Sequence, residues 1–155
     1  MTADDRISID ALIEDLHSGR ARADDPRFIA ASGVSAHSLP LGLRRAVDEF
    51  RLSERELALV IRGLGIEDAK IGATPSHWDV PQEGNLAGRE ELYLALVASL
   101  LGDLFAWSTL QRGRVVMNVL PVRGDEGTQT GHGTVLLEWH TEDAFHPFRC
   151  DYLVS

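Results

Sequence analysis

The run "EWHTEDAFHPF", residues 138–148, brings His140, Glu142 and His146 close together in sequence. In a strand, residues i and i+2 project from the same face, so the His140 imidazole and the Glu142 carboxylate can bind one cation together. One nitrogen and one oxygen suit Fe(II) held by two histidines and one carboxylate, where a distant histidine completes the set and open positions remain for substrates. The competing reading is an exposed strand rim carrying two polar residues. Pro147 biases His146 toward extended backbone, which reads as a loop histidine or one supporting a ligand. A local three-ligand site drawing on His146 or His132 stays open as an alternative. The zinc-protease pattern H-E-x-x-H is absent, because Thr141 follows His140.

The preceding segment "RGDEGTQTGHG" (123–133) has the glycines of a phosphate cradle but neither its Lys-Ser/Thr pair nor a helix after it. It reads as a flexible loop leading into the His140 strand, with Thr128, Gln129 and Thr130 able to hydrogen-bond a small polar ligand. Gln111 and Asn118 are similar candidates, and an amide satisfied by backbone is the alternative for each. No serine sits in a G-x-S-x-G elbow. Cys150 reads as a small buried hydrophobe, since no helix N-terminus or paired base is evident to activate its thiol.

The elements that must position these residues form a helix-then-strand order. Ile9, Leu12, Ile13 and Leu16 recur at helical spacing between a cap at Ser8 and a stop at Gly19. A second stripe runs from Pro40 through Leu43, Ala46, Val47 and Phe50. "ELALVIRGLGI" (56–66) is short enough for a buried strand. Residues 68–88 hold prolines and glycines without a sustained period and read as a loop containing His77 and Trp78. A long helix follows, with Leu92, Ala95, Leu96, Ser99, Leu100 and Leu104 on one side. Runs 114–122, 134–142 and 149–155 then read as strands. The expected organisation is one α+β domain: a helical lead-in with a first strand (1–66), a loop (67–88), a helix (89–106), and core strands carrying the H-x-E motif (107–155).

At 155 residues a single domain is the natural reading. The net charge of −9, from 15 basic and 24 acidic residues, would repel a nucleic-acid backbone or an anionic membrane surface. No apolar stretch suffices to cross a bilayer. A lone cysteine and an N-terminus without a basic start or apolar run point to the cytoplasm. The final "DYLVS" reads as a strand in progress, so the sequence is expected to be truncated as a folding unit.

The segment "QRGRVVMNVLPVRGDEGTQTGHGTVLLEWHTEDAFHPFRCDYLV" resembles the clavaminate synthase-like branch of Fe(II)/2-oxoglutarate-dependent oxygenases, which includes L-asparagine oxygenase and hydroxylases of free arginine and lysine. The shared features are T-x-Q-x-G-R ("TLQRGR"), an apolar strand ending in L-P-V, a glycine-rich loop, W-H-T-E-D-A-F-H-P and R-x-D-Y-L. The resemblance is strong over about residues 105–155 and fainter upstream, at "LPLGLRRAVDEFR" and "LVIRGLGI". It corresponds to the N-terminal half of a family member.

This resemblance implies a double-stranded β-helix (jelly-roll, cupin-like) core of which only part is present. It implies Fe(II) and 2-oxoglutarate as cofactors, with His140 and Glu142 as iron ligands. Glu142 would also meet the substrate amine, and Gln111 with Thr128, Thr130 and Gly131 would approach a free amino acid. The reaction, using O2, would couple decarboxylation of 2-oxoglutarate to hydroxylation of a C–H bond. No residue matches the family's distal histidine or its 2-oxoglutarate-binding arginine, and Arg149 does not occupy the latter's place. The expectation is an amino-acid hydroxylase lineage in an incomplete chain with little or no activity alone. The alternative is a non-catalytic or split-subunit module that self-associates or pairs with a complementing C-terminal half.

Overall fold

The computed structural model describes residues 1–80, 87–138 and 140–155. Residues 81–86 of the expected loop and Trp139 of the W-H-T-E motif lie outside the described residues. Helix α1 spans Ala3–Ser18 and begins earlier than Ser8, because Thr2 and Asp5 form a capping box. The Thr2 hydroxyl accepts from the Asp5 N–H at 3.1 Å, and the Asp5 carboxylate accepts from the Thr2 N–H at 2.8 Å. Helix α2, Pro26–Ala36, was not anticipated, although its signals are ordinary. Asp25 caps it by accepting from the Arg27 N–H at 2.8 Å, and Pro26 occupies the first turn.

Helix α3 (Leu41–Ser53) matches the stripe that buries Leu43 and Val47. It ends at Glu54, which is left-handed with φ 50°. A single turn, α4 (Asp68–Ile71), interrupts the expected loop. Helix α5 (Gly88–Ala98) buries Leu92, Ala95 and Leu96 and ends before the expected 106. There the Ser99 hydroxyl turns back to the Ala95 carbonyl at 2.8 Å and lies 2.9 Å from Ser32 Oγ, joining the end of α5 to α2. Mid-helix serines compete for backbone carbonyls in this way.

Helix α5 packs against α1 and α2. The core gathers Ile9, Ile13, Phe28, Leu39, Leu43, Val47, Leu92 and Leu96. Each fully buried Leu or Ile contributes about 1.5–3 kcal/mol relative to exposure. Leu104 and Val116 pack partly buried against this cluster and carry the chain from the helical layer into the segments bearing the candidate site.

The strands expected at 56–66, 114–122, 134–142 and 149–155 do not form among the described residues, and no β-helix is present there. A strand requires a laddered neighbour, and those runs find none among these residues. The period-two signal nonetheless has a physical counterpart. Leu120 and Val122 are buried, while Val119 before them and Pro121 between them are exposed. From Thr134 to Glu138 every residue is exposed, Leu136 most of the three apolar side chains there and Val135 and Leu137 about half as much. Cys150, expected to be buried, is only half-buried.

Candidate functional site

His140 Nε2 lies 3.2 Å from Glu142 Oε1, and both side chains are about half exposed. The other ring nitrogen, Nδ1, is 2.8 Å from the Glu138 carbonyl oxygen and donates to it. The Glu138 carbonyl, and next the Glu142 carboxylate, hold a proton on the imidazole and raise its pKa above the ordinary value of 6.5. This arrangement fits a divalent metal. Two donors each about 2.0–2.2 Å from one ion, at right angles, stand roughly 3 Å apart, and Nδ1 bound to a carbonyl leaves Nε2 as the ligating nitrogen. Among the described residues no group of three or more His, Cys, Asp or Glu side chains converges to hold a metal. The pair therefore has no third donor of those types here.

The two other candidate histidines, His146 and His132, make contacts elsewhere. The His146 ring lies edge-on against Trp107, with centroids 4.3 Å apart, and its Nδ1 accepts from the Phe148 N–H at 3.1 Å. His132 Nδ1 lies 3.3 Å from the Leu120 carbonyl. Arg149 donates to the Ala144 carbonyl at 3.2 Å, bracing its own turn.

Gln111 opens a short 3₁₀ turn, Gln111–Gly113, whose residues all have positive φ: 41°, 59° and 79°. The Gln111 amide spans the Asn118 backbone, donating from Nε2 to the carbonyl and accepting at Oε1 from the N–H, each at 2.8 Å. The backbone-satisfied reading of this amide thus holds. One further N–H and one further lone pair remain for a ligand. Gln111 and Asn118 line a cavity of about 600 Å³. Its wall carries three ion pairs, Arg22–Asp24 at 3.0 Å, Arg112–Asp79 at 2.7 Å and Arg114–Glu91 at 2.9 Å. The Arg112 guanidinium also sits 5.8 Å from the Trp78 ring centre. His140 and Glu142 are not among its lining residues.

The glycine-rich loop closes on itself. The Val122 N–H donates to the His132 carbonyl at 2.9 Å, and the Thr134 N–H to the Glu126 carbonyl at 3.2 Å. The Thr128 hydroxyl donates to the Asp125 carbonyl at 2.7 Å and lies 3.1 Å from Thr130 Oγ1, which accepts from the His132 N–H at 3.2 Å. Gly131 faces Val119, which also lines the cavity. The predicted residues are therefore not gathered in one place: Gln111 lines the cavity, Gly131 neighbours it through Val119, and neither His140 nor Glu142 is among its lining residues.

Sequence reasoning missed Trp107, Asp143, Arg114 and Glu91. Arg114 is the last residue of the "TLQRGR" motif and Asp143 lies within W-H-T-E-D, so motif membership was the available signal. The pairing of each with a distant residue left no local trace.

Comparison with known proteins gives the class. No family model matches the chain. It is 37% identical over 155 residues to an L-ornithine/L-arginine 3-hydroxylase of Catenulispora acidiphila, covering 99% of this chain and 45% of that protein. It is 41% identical over 154 residues to an enduracididine beta-hydroxylase of Streptomyces hygroscopicus, covering 97% of this chain and 44% of the relative. Its fold superposes, with a TM-score of 0.91 and 37% identity, on the non-heme iron oxygenase OrfP crystallised with Fe and alpha-ketoglutaric acid. That alignment covers 97% of this chain and 48% of OrfP.

The chain is thus related to non-heme iron oxygenases. Its relatives include clavaminate synthase 2 of Streptomyces clavuligerus, 30% identical over 134 residues, and it is related to the N-terminal part of the clavaminate synthase-like Fe(II)/2-oxoglutarate-dependent oxygenases. It spans less than half the length of the curated relatives it matches.

Proposed function

We propose that these residues form the N-terminal part of an Fe(II)/2-oxoglutarate-dependent hydroxylase acting on C3 of a free L-amino acid with a basic side chain. The observation that carries the reading is the 3.2 Å approach of His140 Nε2 to Glu142 Oε1 with Nδ1 held by the Glu138 carbonyl. The activities for which the relatives are named, on ornithine, arginine and enduracididine, supply the substrate class. Bound iron with 2-oxoglutarate and O2 would supply the oxidising chemistry. The chain's own contribution is to hold two donors and to orient the substrate. Gln111 and the Thr128–Gly131 loop face the amino acid's polar groups, and the second oxygen of Glu142 meets its amine. The third ligand and the cation pairing with 2-oxoglutarate come from residues outside these 155. The lone Cys150 suits a reducing cytoplasmic setting.

The test combines the 155-residue chain with a polypeptide carrying the C-terminal half of OrfP, in the presence of Fe(II), 2-oxoglutarate and free arginine, ornithine or asparagine. Hydroxylated product and succinate are expected only from the mixture, and only with His140 and Glu142 intact. Turnover that survives His140→Ala and Glu142→Ala would overturn the reading.

The exposed Val119, Leu136, Phe145 and Phe148 favour a second reading, in which a separate polypeptide or a second copy covers this apolar surface. Size-exclusion chromatography giving a well-folded monomer at all concentrations counts against it.

A further inference from the structure

We infer that Trp107 and Asp143 are positioning residues for the metal-binding carboxylate, an inference resting on the reading of His140 and Glu142 as iron ligands. Asp143 directly follows Glu142, so its backbone sets where the Glu142 carboxylate points. It occupies the left-handed region with φ 49°, which Asp enters more readily than most non-glycine residues but still at some cost, and its surroundings hold it there. Two bonds do so. The Trp107 indole N–H donates to Asp143 Oδ2 at 2.5 Å, and the Asp143 carbonyl accepts from the His146 N–H at 2.7 Å.

The His146 ring completes the clasp. It is pinned by the Phe148 N–H at Nδ1 and laid edge-on against the same indole. Trp107 is in turn tied toward the helical layer, stacking T-shaped on Phe105 at 5.5 Å just after Leu104, which packs on the core. The indole is thus the link through which the helices fix the turn that follows the ligand pair. Partners of this kind typically alter metal affinity 10–100-fold when removed.

The test is Ni(II) titration of the 155-residue chain by calorimetry, Ni(II) serving as an oxygen-inert stand-in for Fe(II). Trp107→Phe keeps a ring against His146 but loses the donor, and Asp143→Ala loses the acceptor. Each is expected to weaken binding about tenfold. Asp143→Asn keeps an acceptor oxygen without the charge and should bind as the unmodified chain does.

Unchanged affinity in Trp107→Phe and Asp143→Ala overturns the inference while leaving the metal pair standing. So does an Asp143→Asn variant as weak as Asp143→Ala, since it would show a charge effect in place of a hydrogen bond. If His140→Ala binds Ni(II) as tightly as the unmodified chain, the metal reading itself fails and the inference with it.

Discussion

Gln111 and Asn118 are joined at both ends of one carboxamide, Nε2 to the Asn118 carbonyl and Oε1 to its N–H, each at 2.8 Å. This reciprocal clasp holds a turn in which Gln111 and Arg112 both adopt positive φ. Gln111→Ala leaves a half-buried backbone donor and acceptor unmatched, at a cost of about 1–3 kcal/mol. Gln111→Glu, which keeps the acceptor and loses the donor, should fall between. Amide exchange at Asn118 and the urea midpoint report the order.

The Arg114–Glu91 pair ties the same turn to α5, with side chains only 25% and 11% exposed. Arg114→Ala strands the Glu91 carboxylate, and about 3 kcal/mol of destabilisation is expected at neutral pH. Burial already raises the Glu91 pKa above the ordinary 4.5, the Arg114 charge pulling the other way. A raised carboxyl binds its proton more tightly in the folded state. Its favourable contribution is therefore present below 4.5 and is lost as pH rises through the folded value. Without Arg114 the Glu91 pKa rises further, so the deficit of Arg114→Ala should shrink as pH falls toward the folded value of the unmodified chain, measured as the difference in urea midpoint.

Two glycines of the 123–133 loop should behave oppositely. A Cβ on Gly131 would make ordinary contact with Val119 at 3.6 Å, whereas one on Gly133 would fall on the Thr128 carbonyl oxygen, far inside contact distance. Gly131→Ala should leave the loop's closing bonds intact. Gly133→Ala should open them, speeding exchange of the Val122 and Thr134 amides on the order of tenfold or more.

At the other end of the chain, Thr2→Ala should cost about 1 kcal/mol by removing the cap of α1. The Thr2 N–H and hydroxyl hold the Asp5 carboxyl below its ordinary 3.8. That contribution is present above 3.8 and disappears as pH falls through the folded value. Thermal melts of the variant should therefore show a shallower acid decline than those of the unmodified chain.

What the sequence made legible follows from how local each signal is. The closeness of His140 and Glu142 was signalled by the surrounding motif, although the strand invoked for their spacing does not form, and the stripes of α1, α3 and α5 by a 3.6-residue period. Helix α2 was equally local, announced by Asp25 and Pro26, but the face it buries, Phe28, Ser32 and Ala36, carries only one large apolar residue and so makes a faint stripe. The 36-residue separation of Trp107 and Asp143 left no periodicity to detect. The strands are a different case. Alternation at Leu120 and Val122 reports which side of the chain is covered, but pairing depends on a neighbour, which the alternation does not supply.

The members of the helical core cluster all fall between Ile9 and Val97. During synthesis the chain is made N-terminus first at roughly 5–20 residues per second, so the last member of this layer is made a few seconds before His140 and leaves the ribosome ahead of it. The later segments would then meet a finished helical surface as they leave the ribosome, with Leu104 and Trp107 already in place to catch the turn at Asp143.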